Sequence, residues 1–214
     1  MKKCIFLMLM MLLLAVNCLA LPTCAAQEDA SGADGLLLVI MPEESADAWN
    51  FLFVCTDPVD GKLVCTQIPA DQPVSIRAYE NHILSAGMTL GDVCALGYAW
   101  EEDAGAIGIS AASVQTSFQV SPAYTLLLSA EDADCIFRQT LTELHIGQIS
   151  PDATVAFERV LVGIQGLDAA AQRELAVFVL THSVSDADED AVGAYLTGMI
   201  GNSGGCEMRT FQPA

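Results

Sequence analysis

The chain has 214 residues, of which 53% are hydrophobic, and its 27 acidic and 8 basic residues give a formal net charge of -19. This excess of carboxylates argues against a nucleic-acid partner and against adhesion to anionic lipid headgroups, because both depend on Lys and Arg that neutralise phosphate. The composition favours solubility or cation binding, of which a solvated acidic surface is the simpler interpretation, and the length allows one sizeable core.

The N-terminal segment has the pattern of a secretory signal. Lys2 and Lys3 precede the apolar run CIFLMLMMLLLAV, and the following LPTCAAQ places small residues at Cys24 and Ala26. We therefore predict a signal peptide over residues 1–26. Export predicts an extracytoplasmic location, either secreted or associated with the cell envelope.

The remaining chain has the length of one ordinary domain. We predict a short polar linker over 27–34 and a single domain over 35–214. Lipidation at Cys18 or Cys24 and retention of the signal as an uncleaved anchor stay open as alternatives. No later segment offers the roughly 20 apolar residues that span a bilayer, so membrane association is expected only through the N-terminal segment.

The first half of the domain predicts three strands. GLLLVIM, at 35–41, is short and apolar, which is typical of a fully buried strand. NFLFVCT at 50–56 and KLVCTQIP at 62–69 flank the turn residues DPVDG, and this arrangement predicts a β-hairpin.

The rest of the domain alternates helices with one strand. Residues 89–117 are rich in Ala, Gly and Ser and predict helices that pack closely through small residues. AYTLLLS at 123–129 predicts a buried strand, and AEDADCIFRQTLTEL at 130–144 predicts a helix of three to four turns behind an acidic first turn. Interleaved strands and helices predict an α/β or α+β sandwich.

Two strong helices are predicted near the end of the chain. LDAAAQRELAVFVLTHS covers 167–183, and SDADEDAVGAYLTGMIG begins with Ser185 as its N-cap and ends at a glycine. ATVAFERVLVGI, at 153–164, fits a strand and a helix equally well.

Five cysteines follow the predicted signal, and an odd number leaves at least one outside any set of internal disulfides. They are Cys55, Cys65, Cys94, Cys135 and Cys206. Cys55 and Cys65 lie symmetrically about the predicted turn, so a bridge across the hairpin is one hypothesis. The favoured interpretation is that they are small buried hydrophobes. No CxxC pair is present to support a zinc or redox site.

Two short motifs have chemical interpretations that we weigh against simpler ones. GNSGG, at 201–205, is similar to the nucleophile loop of serine proteases, but a turn after a helix explains it better. DADED, at 186–190, spaces carboxylates as in a calcium loop, but Ala191 stands where the loop needs glycine, and a helix start explains the acids. No metal-ligand spacing joins the histidines, His82, His145 and His182.

Four segments of the chain together match the pattern of one known family. They are FLFVCTDPVDGKLVCTQIPAD at 51–71, TLGDVCALGYA at 89–99, AASVQTSFQVSPAYTLLLSAEDADCIFRQTL at 111–141 and AAQRELAVFVL at 170–180. With these segments the chain resembles the LytR-CpsA-Psr family of cell-envelope proteins. The resemblance implies an α/β fold, a sandwich with a central mixed β-sheet flanked by helices. It also implies an extracytoplasmic, membrane-anchored enzyme that moves a glycopolymer from a polyprenyl-pyrophosphate carrier onto peptidoglycan.

The family's chemistry requires arginines for the pyrophosphate, carboxylates for Mg²⁺ and an apolar pocket for the prenyl chain. This sequence departs from that pattern. Ala70 stands where the family's IPRD motif has arginine, and Trp49 stands where an acid is expected, with Asp47 the nearest carboxylate. The family's late-helix arginines fall on Asp168 and Ala171.

The resemblance leaves few candidate site residues. It implies Asp71 and Asp47 as catalytic candidates, Asp71 as a ligand for Mg²⁺, and Arg77, Gln172 and Arg173 as substrate-binding candidates. Because nearly all the guanidinium groups are missing, we expect a degenerate phosphotransferase-like domain that binds a polyprenyl-linked lipid or an envelope partner. An active transferase with a displaced site and an unrelated secreted binding or scaffold domain are the alternatives.

Overall fold

A computed structural model gives the fold and describes residues 34–42, 49–59, 61–143, 163, 166–202 and 206–211. The strands among these residues are β1 (Asp34–Ile40), β2 (Asn50–Thr56), β3 (Leu63–Ile68), β4 (Ala78–Tyr79), β5 (His82–Ile83), β6 (Ser121–Leu128), β7 (Val184–Ser185) and β8 (Cys206–Thr210). The helices are α1 (Leu90–Phe118), α2 (Ala130–Glu143), α3 (Ala169–Thr181) and α4 (Glu189–Asn202).

Six of the strands form one mixed sheet in the order β7-β6-β1-β2-β3-β8. β1 lies inside the sheet, antiparallel to β2 and parallel to β6. Leu37 and Val39 are buried on one face, whereas Leu36 is buried on the other. Because both faces are covered, the strand is apolar throughout instead of alternating, and the predicted buried strand is confirmed.

The predicted hairpin of β2 and β3 is also confirmed. The strands pair antiparallel, and Asp57 closes the turn by donating its N–H to the Lys62 carbonyl at 2.7 Å. Gly61 adopts a positive φ of 70° and donates to the Asp57 carbonyl, a conformation that glycine adopts without strain.

The hypothesis of a bridge between Cys55 and Cys65 is wrong. The register pairs Cys55 with Val64 and Cys65 with Val54, so the two thiols are not opposite each other. Successive side chains of a strand point to opposite faces, and Cys55 belongs to the core on one face while Cys65 belongs to the core on the other. The sheet therefore separates them, and their interpretation as buried hydrophobes agrees with their low exposure.

Helices cover both faces of the sheet. α1 packs Leu90, Val93 and Ile109 against one face. α3 and α4 contact each other and cover the opposite face. The result is a sandwich with a central mixed sheet flanked by helices, as predicted. Among the described residues, no helix combines the length and apolar character that a bilayer crossing requires.

The start of α4 differs from the prediction. The helix begins at Glu189, and the Asp188 carboxylate accepts from the N–H groups of Asp190 and Ala191. Ser185, the predicted N-cap, instead belongs to the edge strand β7. Asp186 holds this edge by exchanging hydrogen bonds with the backbone of Thr125 in β6. The acids of DADED therefore start a helix, and within the described residues no cluster of three metal-ligating side chains occurs.

The predicted close packing of small residues occurs within α1. The helix breaks at Glu101 and Glu102, where Glu102 has a positive φ of 53°, and the chain then returns along its own first half. At the crossing, the backbones of Gly97 and Gly105 touch, and an added Cβ at Gly97 would lie 2.5 Å from the Gly105 carbonyl oxygen. Glycine is required at this contact because it alone lets the two backbones approach.

A buried thiol supports the same crossing. Ser110 donates a 3.1 Å hydrogen bond to the Cys94 sulfur, which joins the two halves of α1. Burial raises the pKa of Cys94 to about 12, so this thiol stays protonated and has a structural role.

The first turn of α1 is fully hydrogen-bonded. Thr89 and Asp92 form a capping box, in which each side chain accepts from the backbone N–H of the other. The N–H groups of Leu90 and Gly91, which have no partner within the helix, donate to the carbonyls of Gln72 and Ala70 at 2.9 and 2.8 Å. The loop after β3 is thereby fixed to the start of the helix.

We expect Gly105→Ala to destabilise the protein by at least about 2 kcal/mol, because the new methyl group would collide with the Gly97 backbone, which cannot rotate away. Chemical denaturation measures the free energy of unfolding. Gly198→Ala, in α4 with open space around it, is the matched control and should be neutral or slightly stabilising. Equal effects of the two substitutions would show that the crossing is not tightly packed.

We expect Thr89→Ala to lower the free energy of unfolding by about 1 kcal/mol, because it removes the N-cap acceptor of α1. Thr116→Ala makes the same chemical change at an exposed site in the same helix. It should not lower the free energy of unfolding, since alanine favours the helix. A loss as small for Thr89→Ala as for Thr116→Ala would mean that the cap does not contribute.

The capping box also predicts a pH dependence. Hydrogen bonds from the Thr89 backbone and side chain lower the pKa of Asp92, so its stabilising effect is present above the ordinary carboxyl pKa and is lost as the pH falls through the folded-state value. Asp92→Asn should therefore destabilise the protein at pH 7, by a few tenths of a kcal/mol. Thermal unfolding of both proteins at pH 7 and pH 3 should show that the difference in Tm between the unmodified protein and Asp92→Asn becomes smaller in acid. A difference that is the same at both pH values would contradict this.

Candidate functional site

The loop that follows β3 carries Asp71, the main candidate from the sequence. The side chain is exposed, and within the described part of the chain no cation or hydrogen-bond donor contacts its carboxylate. The loop around it is ordered by its own backbone, since Gln72 donates to the Pro69 carbonyl and Val74 donates to the Met88 carbonyl. Asp71 therefore extends into solvent from a fixed loop.

The N-terminus of α1 lies directly beside this loop. A helix N-terminus attracts phosphate groups because its first N–H groups lack partners within the helix. Here those groups are occupied by the Ala70 and Gln72 carbonyls and by the Thr89 side chain. The Asp92 carboxylate, whose pKa is lowered, adds a negative charge at the same end. This end of α1 thus offers neither free donors nor positive charge to a pyrophosphate.

Ala70 occupies the position of the family's arginine and has a packing role. Its methyl group packs against the core on the α1 side, and an added Cβ at Gly91 would lie 3.3 Å from both the Cβ and the carbonyl oxygen of Ala70. The loop and the helix are therefore in close contact at this point.

Trp49 occupies the position where the family resemblance implies an acid. Its ring packs against the same core and meets Tyr98 edge to face, with ring centroids 6.2 Å apart. A large apolar contact thus replaces a carboxylate. Asp47, the alternative carboxylate, lies outside the described residues.

The structure does not bring the remaining candidates together. Arg77 is exposed just before β4, on the same side as Asp71, and its carbonyl accepts from Leu84. Gln172 and Arg173 lie in α3, which covers the opposite face of the sheet, and Gln172 is buried there while Arg173 is exposed. Within the described residues, no hydrogen bond or ion pair joins Asp71 to either arginine.

Local structure explains one missing arginine of the late helix. Asp168 is the N-cap of α3, and its carboxylate accepts from the N–H groups of Ala170 and Ala171 at 3.0 and 2.9 Å. An arginine cannot accept hydrogen bonds, so it could not replace this aspartate as a cap.

The described residues do not fit a bound Mg²⁺. Magnesium is usually held by one or two carboxylates together with substrate phosphates in octahedral geometry. Asp71 offers one carboxylate, and Asp92 is already engaged in the capping box. No group of three metal-ligating side chains exists in the described part of the chain. Among these residues, Asp71 therefore offers the Mg²⁺ implied by the resemblance a single exposed carboxylate that belongs to no cluster of three metal-ligating side chains.

One contact between a thiol and an imidazole was missed by the sequence analysis. The Cys135 sulfur in α2 lies 3.9 Å from Nε2 of His182, the residue that caps the C-terminal end of α3. The two residues are far apart in the chain, and neither belongs to a recognisable motif. The packing of α2 against α3 creates the pair, so no local sequence signal indicates it.

The comparisons with known proteins concern the fold. No family model matches the sequence, and no curated protein matches it. Protein gbs0355 from Streptococcus agalactiae has a similar crystal structure, with a TM-score of 0.58 and 10% identity over 89% of this chain and 80% of that one. TagV from B. subtilis has a TM-score of 0.54 and 8% identity over 86% of each chain.

These two structures are LytR-CpsA-Psr proteins. At such low identity the similarity carries information on architecture only. It agrees with the fold that the sequence resemblance implied, a mixed sheet flanked by helices, and it extends over most of the chain. The chain therefore has the LytR-CpsA-Psr fold.

Proposed function

We propose that this chain is an exported cell-envelope protein whose LytR-CpsA-Psr-like domain binds a ligand without transferring a glycopolymer. The start of α1 is the observation that carries this proposal. Its N–H groups, which could receive a pyrophosphate, are used by the Ala70 and Gln72 carbonyls and by the capping box. In the loop beside it Asp71 is exposed, and position 70 holds alanine where the family has arginine.

The electrostatics of this region support the same conclusion. A pyrophosphate needs several charge-assisted hydrogen bonds, each worth about 1.5–3 kcal/mol. The side chain at position 70 is a methyl group, and Asp71 and Asp92 would repel the phosphates. Arg77 and Arg173, the nearest substitutes in the sequence analysis, lie on elements at opposite faces of the sheet. The alternative of a displaced active site requires them to converge with Asp71.

The ligand is either a polyprenyl-linked lipid or an envelope protein. A prenyl chain would need an apolar channel between the helices and the sheet. Between α1 and the sheet, the described side chains fill the space, with Phe51, Phe53, Leu90 and Ile109 at most 2% exposed. This packing favours an envelope protein as the partner. The third possibility, an unrelated domain with a chance resemblance in its hairpin, has no support because the fold agrees along most of the chain.

A transfer assay tests the loss of activity. The purified protein, mixed with a glycopolymer linked to a polyprenyl pyrophosphate, Mg²⁺ and peptidoglycan, should attach no more polymer than a blank without protein. Asp71→Asn should give the same result. Transfer above the blank that Asp71→Asn abolishes would establish the displaced-site enzyme instead.

Binding of a polyprenyl phosphate tests the ligand class. We expect no binding that depends on Mg²⁺, because the described carboxylates do not form a magnesium site. Calorimetry with and without the metal measures this directly. Glu174→Gln, which removes another exposed carboxylate from α3, is the control for the loss of one charge. Saturable binding that needs Mg²⁺ and is weakened by Asp71→Asn but not by Glu174→Gln would contradict the proposal.

A further inference from the structure

Cys135 and His182 form a contact that the proposed function does not use. The Cys135 sulfur lies 3.9 Å from Nε2 of His182, across the packed helices α2 and α3. Both side chains are half-buried. A thiol beside an imidazole is the arrangement that enzymes use to activate a sulfur nucleophile, and such contacts are often long when no substrate is bound.

The hydrogen bonds of His182 determine which of its two ring nitrogens has a lone pair available to accept a proton. Nδ1 lies 2.9 Å from the Phe178 carbonyl oxygen. A carbonyl can only accept, so Nδ1 carries the proton of the neutral ring and donates it there. Nε2 is then an unprotonated acceptor that faces Cys135. The Phe178 ring packs against the imidazole at a centroid distance of 4.2 Å and holds its orientation. Nucleophile, base and orienting group are thus all present.

Cys135 is also reachable from solvent. It lines a surface cleft together with Glu131, Arg138, Gln139 and Thr142. Glu131 and Arg138 are the charged residues of the cleft, and Arg138 forms an ion pair with Asp134. The other thiols with described side chains, Cys55, Cys65 and Cys94, are buried.

We propose that Cys135 and His182 form a reactive thiol–imidazole pair that undergoes exchange with disulfides. In the reaction, Nε2 of His182 takes the thiol proton as the Cys135 sulfur attacks one sulfur of a disulfide RS–SR′. A Cys135–S–S–R bond forms, the original S–S bond breaks, and R′S⁻ leaves with the proton from the imidazolium. Cys135 is oxidised and R′S is reduced, so electrons balance without another reagent. This chemistry is independent of the ligand-binding function proposed above.

The experiment uses the full chain and 2,2′-dithiodipyridine, a neutral disulfide that releases a chromophore on exchange. We expect a fast phase that Cys135→Ser abolishes. His182→Asn keeps a donor for the Phe178 carbonyl but removes the base, and it should slow this phase by at least about tenfold. His82→Asn is the matched control, because this ring stacks on Trp100 at 3.9 Å elsewhere in the fold, and it should leave the rate unchanged.

A fast phase that persists in Cys135→Ser, or an unchanged rate in His182→Asn, would overturn the proposal. A second measurement on the unmodified sequence covers the case in which a variant fails to fold. Peptide mapping after brief labelling gives the rate at Cys135 in the native protein and in urea. Only the fold brings His182 to the thiol, so the native rate must be the higher one. A native rate at or below the rate in urea would equally refute the pair.

Discussion

The architecture depends on two backbone hydrogen bonds that join the loop after β3 to the start of α1. The N–H groups of Leu90 and Gly91 donate to the carbonyls of Gln72 and Ala70. Unpaired donors in a first helical turn need partners, and here the protein supplies them itself. This connection places α1 on the sheet, orients the Asp71 loop and closes the anion-attracting end of the helix. One constraint thereby fixes the fold around the candidate site and occupies the helix N–H groups that could otherwise bind a phosphate.

The elements with local signals could be predicted from the sequence. β1 is a short apolar run and the β2–β3 turn has Asp57, Pro58 and Gly61, so both followed from neighbouring residues. The start of α4 could not be predicted in this way, because Ser185 and Asp188 are both good caps and only tertiary structure decides between them. Ser185 is drawn into β7, whose edge Asp186 holds to β6, which leaves Asp188 to cap the helix.

The thiols show where pattern reasoning reaches its limit. The symmetric positions of Cys55 and Cys65 about the turn suggested facing side chains, but the observed register is offset by one residue, and such an offset moves a side chain to the other face. The contact between Cys135 and His182 depends on helix packing and has no sequence period. Asp71 follows the end of β3, as the predicted strand at 62–69 implies, whereas its separation from Gln172 and Arg173 by the sheet required the structure.

The separation between backbone and side-chain roles explains how this fold tolerates the replacement of the family's motif residues. At position 70 the backbone carbonyl accepts the hydrogen bond from Gly91 at the start of α1. Every residue type has this carbonyl, so the connection does not depend on the side chain. An arginine there would serve a ligand, while alanine packs its methyl group close to Gly91. Trp49 likewise adds apolar contact where an acid is expected. Since these changes preserve the hydrogen-bonded frame, a chain with 10% identity to gbs0355 retains the architecture although alanine and tryptophan stand where the family resemblance implies an arginine and an acid.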